Sequence, residues 1–96
     1  MHVVLWRYRV RPGCETRFER AYADDGDWSR LFRRSDAYLG SELMRGTDGT
    51  YLTIDRWVSE DAYRAFKDKE AAPYAELDAR CATWMVEEAM VAAVDA

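Results

Sequence analysis

The sequence predicts an α+β domain in which four strands and two helical regions follow the order βαββαβ. Three observations lead there: a period-two apolar pattern at the start, an Asp-Gly turn between two later strand-like runs, and helical spacing of apolar residues in the stretches between strands. Ninety-six residues, 49% apolar and 33% charged, suit one core, so residues 1–96 are read as a single domain.

His2 to Arg11 alternates, with Val4, Trp6, Tyr8 and Val10 on one side and Val3, Leu5, Arg7 and Arg9 on the other. Pro12-Gly13 ends this strand. From Cys14, apolar side chains recur at helical spacing (Phe18, Ala21, Tyr22), and Glu15 stands in the first turn, where the helix dipole favours an acid. Asp24-Asp25-Gly26-Asp27 interrupts the helix, and Trp28, Leu31 and Phe32 begin a second piece that runs to about Arg34.

Tyr38–Arg45 and Thr50–Val58 flank Gly46-Thr47-Asp48-Gly49, whose Asp-Gly supplies the positive φ that a tight hairpin loop requires. Ser59 occupies an N-cap position, with Glu60 and Asp61 in the first turn, Ala62, Tyr63 and Phe66 on one face, and Lys67 and Lys69 near the end. Pro73 is expected to break this helix and to open a new turn that carries Tyr74, Leu77 and Cys81 on one side. Thr83–Val94 reads as the closing strand, although its Ala and Glu content also suits a helix.

Elements in this order form a ferredoxin-like split βαβ sheet, antiparallel and four-stranded, with the helices on one face. In the third strand Leu52, Ile54 and Val58 share one side, and Tyr51 and Trp57 the other. Both faces therefore carry bulky apolar groups. Helices cover only one of them, and soluble monomers seldom expose a large apolar patch, so a two-fold homodimer through the open sheet face is expected.

The net charge of −4 arises from 18 acidic and 14 basic residues, and the basic ones are spread along the chain. No nucleic-acid partner is expected from such a distribution. Arg7, Arg9 and Arg11, and the pair Arg33-Arg34, read as solvated faces. The opening residues lack a signal-peptide layout, and no apolar run reaches the roughly 20 residues of a membrane span, so no membrane partner and a cytoplasmic location are expected. Cys14 and Cys81 have no metal-ligand spacing, and His2 is the only imidazole. Both thiols read as reduced packing residues, and a zinc site cannot be assembled from ordinary ligands.

The segment Trp57-Val58-Ser59-Glu60-Asp61-Ala62-Tyr63 resembles the Trp-x-Ser-x-x-Ala-aromatic signature at the strand-to-helix junction of antibiotic-biosynthesis-monooxygenase domains. Tyr8-Arg9-Val10-Arg11-Pro12-Gly13, followed by Glu15 and Phe18, is similar to the opening of that family. The resemblance implies a dimeric α/β barrel with a pocket between sheet and helices in each subunit. It also implies oxidation of an aromatic, polyketide-like substrate by molecular oxygen without metal or flavin; a further branch degrades haem. Such chemistry needs a substrate enol or phenol that loses a proton and then reduces oxygen.

The resemblance carries over residue by residue only in part. Trp57 matches the family's pocket Trp, and Tyr63 matches the Tyr of the quinone-forming branch. Thr53 stands where that branch has an Asn, and Asp78 stands where it has an Arg, with Arg80 two residues along. Trp6 replaces the Asn of the haem-degrading branch, whose axial His has no counterpart here, and the chain has no Asn at all. Haem is therefore not expected.

Trp57, Tyr63 and Thr53 are the candidate catalytic residues: Trp57 as an aromatic wall or simply as core, Tyr63 as hydrogen-bond donor or proton relay, and Thr53 in place of the amide. Trp28, Leu31, Phe32 and Phe66 are candidates for a slot that accepts a small aromatic ligand, with Arg80 as a polar contact. Asp55 and Arg56 alternate on the third strand, with Arg56 directed either to the dimer layer or to a solvated edge. Adjacent Glu87 and Glu88 point to opposite faces and make no dyad. The expected function is cofactor-independent monooxygenation of a small aromatic compound. A non-catalytic ligand-binding module, or a polyketide cyclase or isomerase on the same scaffold, is the alternative.

Overall fold

A computed structural model describes Met1–Ala96 as β1 (His2–Val10), α1 (Glu15–Tyr22), α2 (Asp27–Phe32), β2 (Tyr38–Arg45), β3 (Tyr51–Trp57), α3 (Glu60–Lys69), α4 (Ala71–Ala82) and β4 (Met85–Asp95). The strands form one antiparallel sheet in the order β2-β3-β1-β4, as the ferredoxin-like arrangement requires. The closing segment is a strand: its Ala and Glu residues yield to a ladder with β1 that runs from His2↔Asp95 to Val10↔Met85. No helix is long and apolar enough to cross a membrane.

Local chemistry explains the element boundaries. Ser59 Oγ accepts the backbone N–H of Ala62 at 3.1 Å, which caps α3 as its position predicted. The break between α3 and α4 falls at Glu70 rather than Pro73. Pro73 lies in the first turn of α4, where the N–H that proline lacks would have no helical partner. In the loop of the β2–β3 hairpin, Gly49 alone takes positive φ (+84°), while Asp48 Oδ1 accepts the backbone N–H of Thr50 at 3.0 Å. Gly40 at φ +127° accompanies a register shift after Tyr38, and this bulge leaves Leu39 unpaired and brings Ser41 opposite Asp55.

The core lies between the helices and one face of the sheet. Tyr8, Tyr51 and Trp57 rise from the strands to meet Phe18, Tyr22, Phe32 and Phe66, and Leu77 and Cys81 close the far side from α4. Both cysteines are free thiols. Rings dominate this layer: Phe18 stacks on Tyr22 at 4.2 Å, and Trp57 meets Phe66 at 5.0 Å. Each such pair adds about 1 kcal/mol to the burial of its area.

The opposite face has a different make-up. Val3, Leu5, Leu52 and Ile54 are half-buried there, Met44 and Val94 are exposed, and Val58 stands exposed just beyond the end of β3. Arg56 donates to Glu42 at 3.0 Å and Arg7 to Glu87 at 3.4 Å across this surface.

Candidate functional site

On β3 the side chains of Tyr51, Thr53, Asp55 and Trp57 alternate onto the helix-covered face, one after another. Pairing then sets their neighbours: Trp6 lies beside Thr53, Tyr8 beside Tyr51, Ser41 beside Asp55, and Glu88 beside Tyr8. Above this polar strip the helices contribute Tyr22 from α1, Trp28, Ser29 and Phe32 from α2, Tyr63 from α3, and Tyr74 and Asp78 from α4. Together they line a concavity of ≈ 480 Å³ including its mouth. Its inner free space is only ≈ 30 Å³, room for about two water molecules.

Asp55 is the chemical centre of this space. Ser41 Oγ donates to its Oδ1 at 2.5 Å, Tyr38 OH lies 2.5 Å from Ser41 Oγ, and Ser29 Oγ lies 3.2 Å from Tyr38 OH. Ser41 donates to the carboxylate and Tyr38 to Ser41, while the single Ser29 hydroxyl hydrogen is contested between Tyr38 OH and the Ala23 carbonyl, each at 3.2 Å. Burial pushes the Asp55 carboxyl up to about 6, against the opposing pull of the Ser41 hydroxyl. At neutral pH it is therefore ionised, yet basic enough to take a proton.

The phenols around it are held protonated. Burial raises Tyr63, and the Asp55 charge adds to the effect; burial also raises Tyr74, with Tyr63 and Asp78 next in importance. Tyr8 is raised well above the ordinary tyrosine range by burial, despite a 3.3 Å contact with Thr53 Oγ1. The Glu88 carboxyl is raised by burial and by the Asp78 charge. Trp28 Nε1 is a buried donor without a hydrogen-bond partner. No basic side chain lines the cavity; the Lys67 ammonium lies 5.3 Å from the ring centres of both Tyr63 and Tyr74 but is not part of the lining.

Of the residues expected from sequence, Thr53, Tyr63, Trp28 and Phe32 meet at this cavity. Trp57 does not reach it. Its indole is fully buried one step behind, enclosed by Phe32, Tyr38, Tyr63 and Phe66 at 5.0–5.3 Å between ring centres, and its Nε1 also lacks a partner. Phe66 packs against that rear wall, and Leu31 faces a separate groove between α2 and α4. Arg80 lies on that same groove and donates to Asp27 at 2.9 Å. The reason is helical phase: Tyr74 and Asp78, four residues apart, share the inward face, whereas Arg80 is about 200° further round from Asp78.

Asp55, Ser41, Tyr74, Trp6 and Glu88 are among the lining residues that were not expected there. Asp55 carried a signal, since it is the one acid in the period-two register of Tyr51, Thr53 and Trp57. Glu87 and Glu88 do diverge: Glu87 meets Arg7 on the outer surface and Glu88 lines the cavity.

The family model "Antibiotic biosynthesis monooxygenase" matches residues 1–73. Among solved structures, a point mutant of SnoaB, a cofactor-independent oxygenase from Streptomyces nogalater, superposes with a TM-score of 0.81 at 18% identity, covering 99% of this chain and 91% of that one. A candidate antibiotic biosynthesis monooxygenase from Bordetella bronchiseptica gives a TM-score of 0.78 at 20% identity, covering 99% and 95%. The protein Rv0793 from Mycobacterium tuberculosis gives 0.70 at 17%, covering 99% and 96%. At these identities the likeness shows a shared fold. A comparison with curated protein sequences finds no match.

Proposed function

This chain belongs to the antibiotic biosynthesis monooxygenase family, and from that premise we propose that its cavity oxidises a small phenol- or enol-bearing aromatic with molecular oxygen, using no cofactor. The observation that supports this most is a desolvated carboxylate, Asp55, inside an aromatic enclosure and backed by a file of hydroxyls. Asp55 removes the acidic proton of the substrate. The resulting anion gives one electron to oxygen, and the two radicals combine to form a C–O bond. Loss of water from the hydroperoxide leaves a carbonyl, so a CH₂ group and O₂ become C=O and H₂O. Tyr63 OH, on the cavity wall, is the donor for the substrate oxygen while it carries negative charge.

Thr53 has the lesser part of engaging Tyr8, and Trp57 supports the wall from behind. Arg80 has no place in the reaction. The apolar outer sheet face (Val3, Leu5, Leu52, Ile54) supports a homodimer in which a second copy covers it. Acid–base chemistry without oxygen, as in a cyclase or isomerase, is the second reading, favoured by the three carboxyls at the cavity.

Oxygen uptake with anthrone and simple naphthols tests the proposal. Turnover is expected from the wild type, a loss of at least about a hundredfold in Asp55→Asn, and a smaller loss in Tyr63→Phe. Binding without oxygen uptake sinks the oxidation, and product formation under nitrogen moves the assignment to the second reading.

A further inference from the structure

We propose that the cavity is selective for an aromatic organic cation, so that the ligand itself carries the positive charge the protein does not provide. The proposal rests on the preceding reading only for the location of the site. Seven of the thirteen lining residues are aromatic, and the charged ones are Asp55, Asp78 and Glu88. These acids come from β3, α4 and β4, that is, from separate walls.

The positive side chains nearby are engaged elsewhere. Arg80 pairs with Asp27 and Arg34 with Glu70, Arg56 pairs with Glu42 on the outer sheet face, and Lys67 lies over the Tyr63 and Tyr74 rings outside the lining. Asp78 and Glu88 are exposed residues, but Asp55 is desolvated, and such a carboxylate without a counter-ion is costly. The negative faces of the lining Trp and Tyr rings other than Tyr63 and Tyr74, which Lys67 already meets, add to the same preference, because they attract a cation placed within about 6 Å. A metal ion answers the charge less well, since no three acidic, thiol or imidazole groups converge as its ligands. An ammonium on an aromatic frame fits both the rings and the dispersed acids. In the oxidation, the same ammonium offsets the negative charge that develops on the neighbouring enol.

Three probes of matched shape test this by titration of tryptophan fluorescence at pH 8: 1-naphthylmethylammonium, 1-naphthylmethanol and 1-naphthoate. The ammonium is expected to bind at least about tenfold more tightly than the alcohol, and the carboxylate most weakly. Asp55→Asn and Glu88→Gln each reduce the ammonium's advantage several-fold with little change for the alcohol. Glu87→Gln, which removes the adjacent carboxylate on the opposite face, leaves the advantage intact and separates a cavity effect from general attraction to an acidic chain. Equal binding of ammonium and alcohol, or an equal effect of Glu87→Gln and Glu88→Gln, overturns the proposal. Preferred ammonium binding with no oxygen uptake from any phenol leaves this inference standing and removes the oxidation; turnover of neutral phenols without cation preference does the reverse.

Discussion

Trp57 and Asp55 are two residues apart on β3 and face the same helices, yet their surroundings differ in kind. Trp57 is fully buried in a box of four rings. Asp55 opens onto a hollow ringed by hydroxyls, phenols and two further acids. The difference comes from size and polarity of neighbours: Phe32, Tyr38, Tyr63 and Phe66 interlock around the indole, whereas Ser41 and Thr53 are too short to fill the space beside the carboxylate. Aromatic richness alone therefore does not mark the pocket on this sheet. The mark is a polar register position enclosed by aromatic ones.

The largest test of that contrast is Trp57→Ala. It should lower stability by about 3–5 kcal/mol in urea unfolding, because the rings around it cannot collapse into the gap. A loss below about 1 kcal/mol would show that the box is not tightly packed. Asp55 should behave in the opposite sense. Its carboxyl is raised to about 6 in the folded chain, against about 4 unfolded, so the protonated form is the one that folding favours. That stability is fully present below about pH 4 and is lost as pH rises through about 6, a fall of about 3 kcal/mol from this group. Asp55→Asn should abolish this fall and leave the variant more stable than wild type at pH 7; a pH profile parallel to wild type would contradict the buried carboxylate.

Ser41→Ala sharpens the comparison further. Removal of the donor at 2.5 Å should raise the Asp55 titration, seen by NMR or in the pH profile of turnover, and cost about 1.5 kcal/mol at pH 7. An unmoved titration would mean that Ser41 does not hold the carboxylate. Arg80→Gln should change stability by less than about 0.5 kcal/mol and leave ligand affinity unaltered, since its partner Asp27 is at an exposed groove. A marked loss of affinity would return Arg80 to the site.

The strands, the hairpin and the α3 cap were legible because each is written in neighbouring residues: period two in His2–Val10, Asp48-Gly49 in the turn, and Ser59 before Glu60. The closing strand was less so, because the partner that decides it, β1, lies at the other end of the chain. At the site, Trp28 and Phe32 followed from helical spacing, whereas Tyr63 and Thr53 were implied by the family resemblance. Arg80 did not: it stood in for the family's later-helix Arg two residues from Asp78, and two residues along a helix turn the side chain about 200° away, onto the groove side. Asp55 was visible as a residue but not as a centre, because the bulge at Gly40 that sets Ser41 against it is a matter of pairing between strands.

The small inner space, ≈ 30 Å³ behind a wider mouth, has a kinetic consequence. A flat aromatic guest is larger than this space, so the lining has to yield before it can enter, and capture then waits on that opening. At high guest concentration the observed rate of capture levels off at the opening rate, and the apparent affinity is diluted by the fraction of molecules open at any moment. The same step slows escape, which gives a reactive guest time to meet oxygen before it leaves.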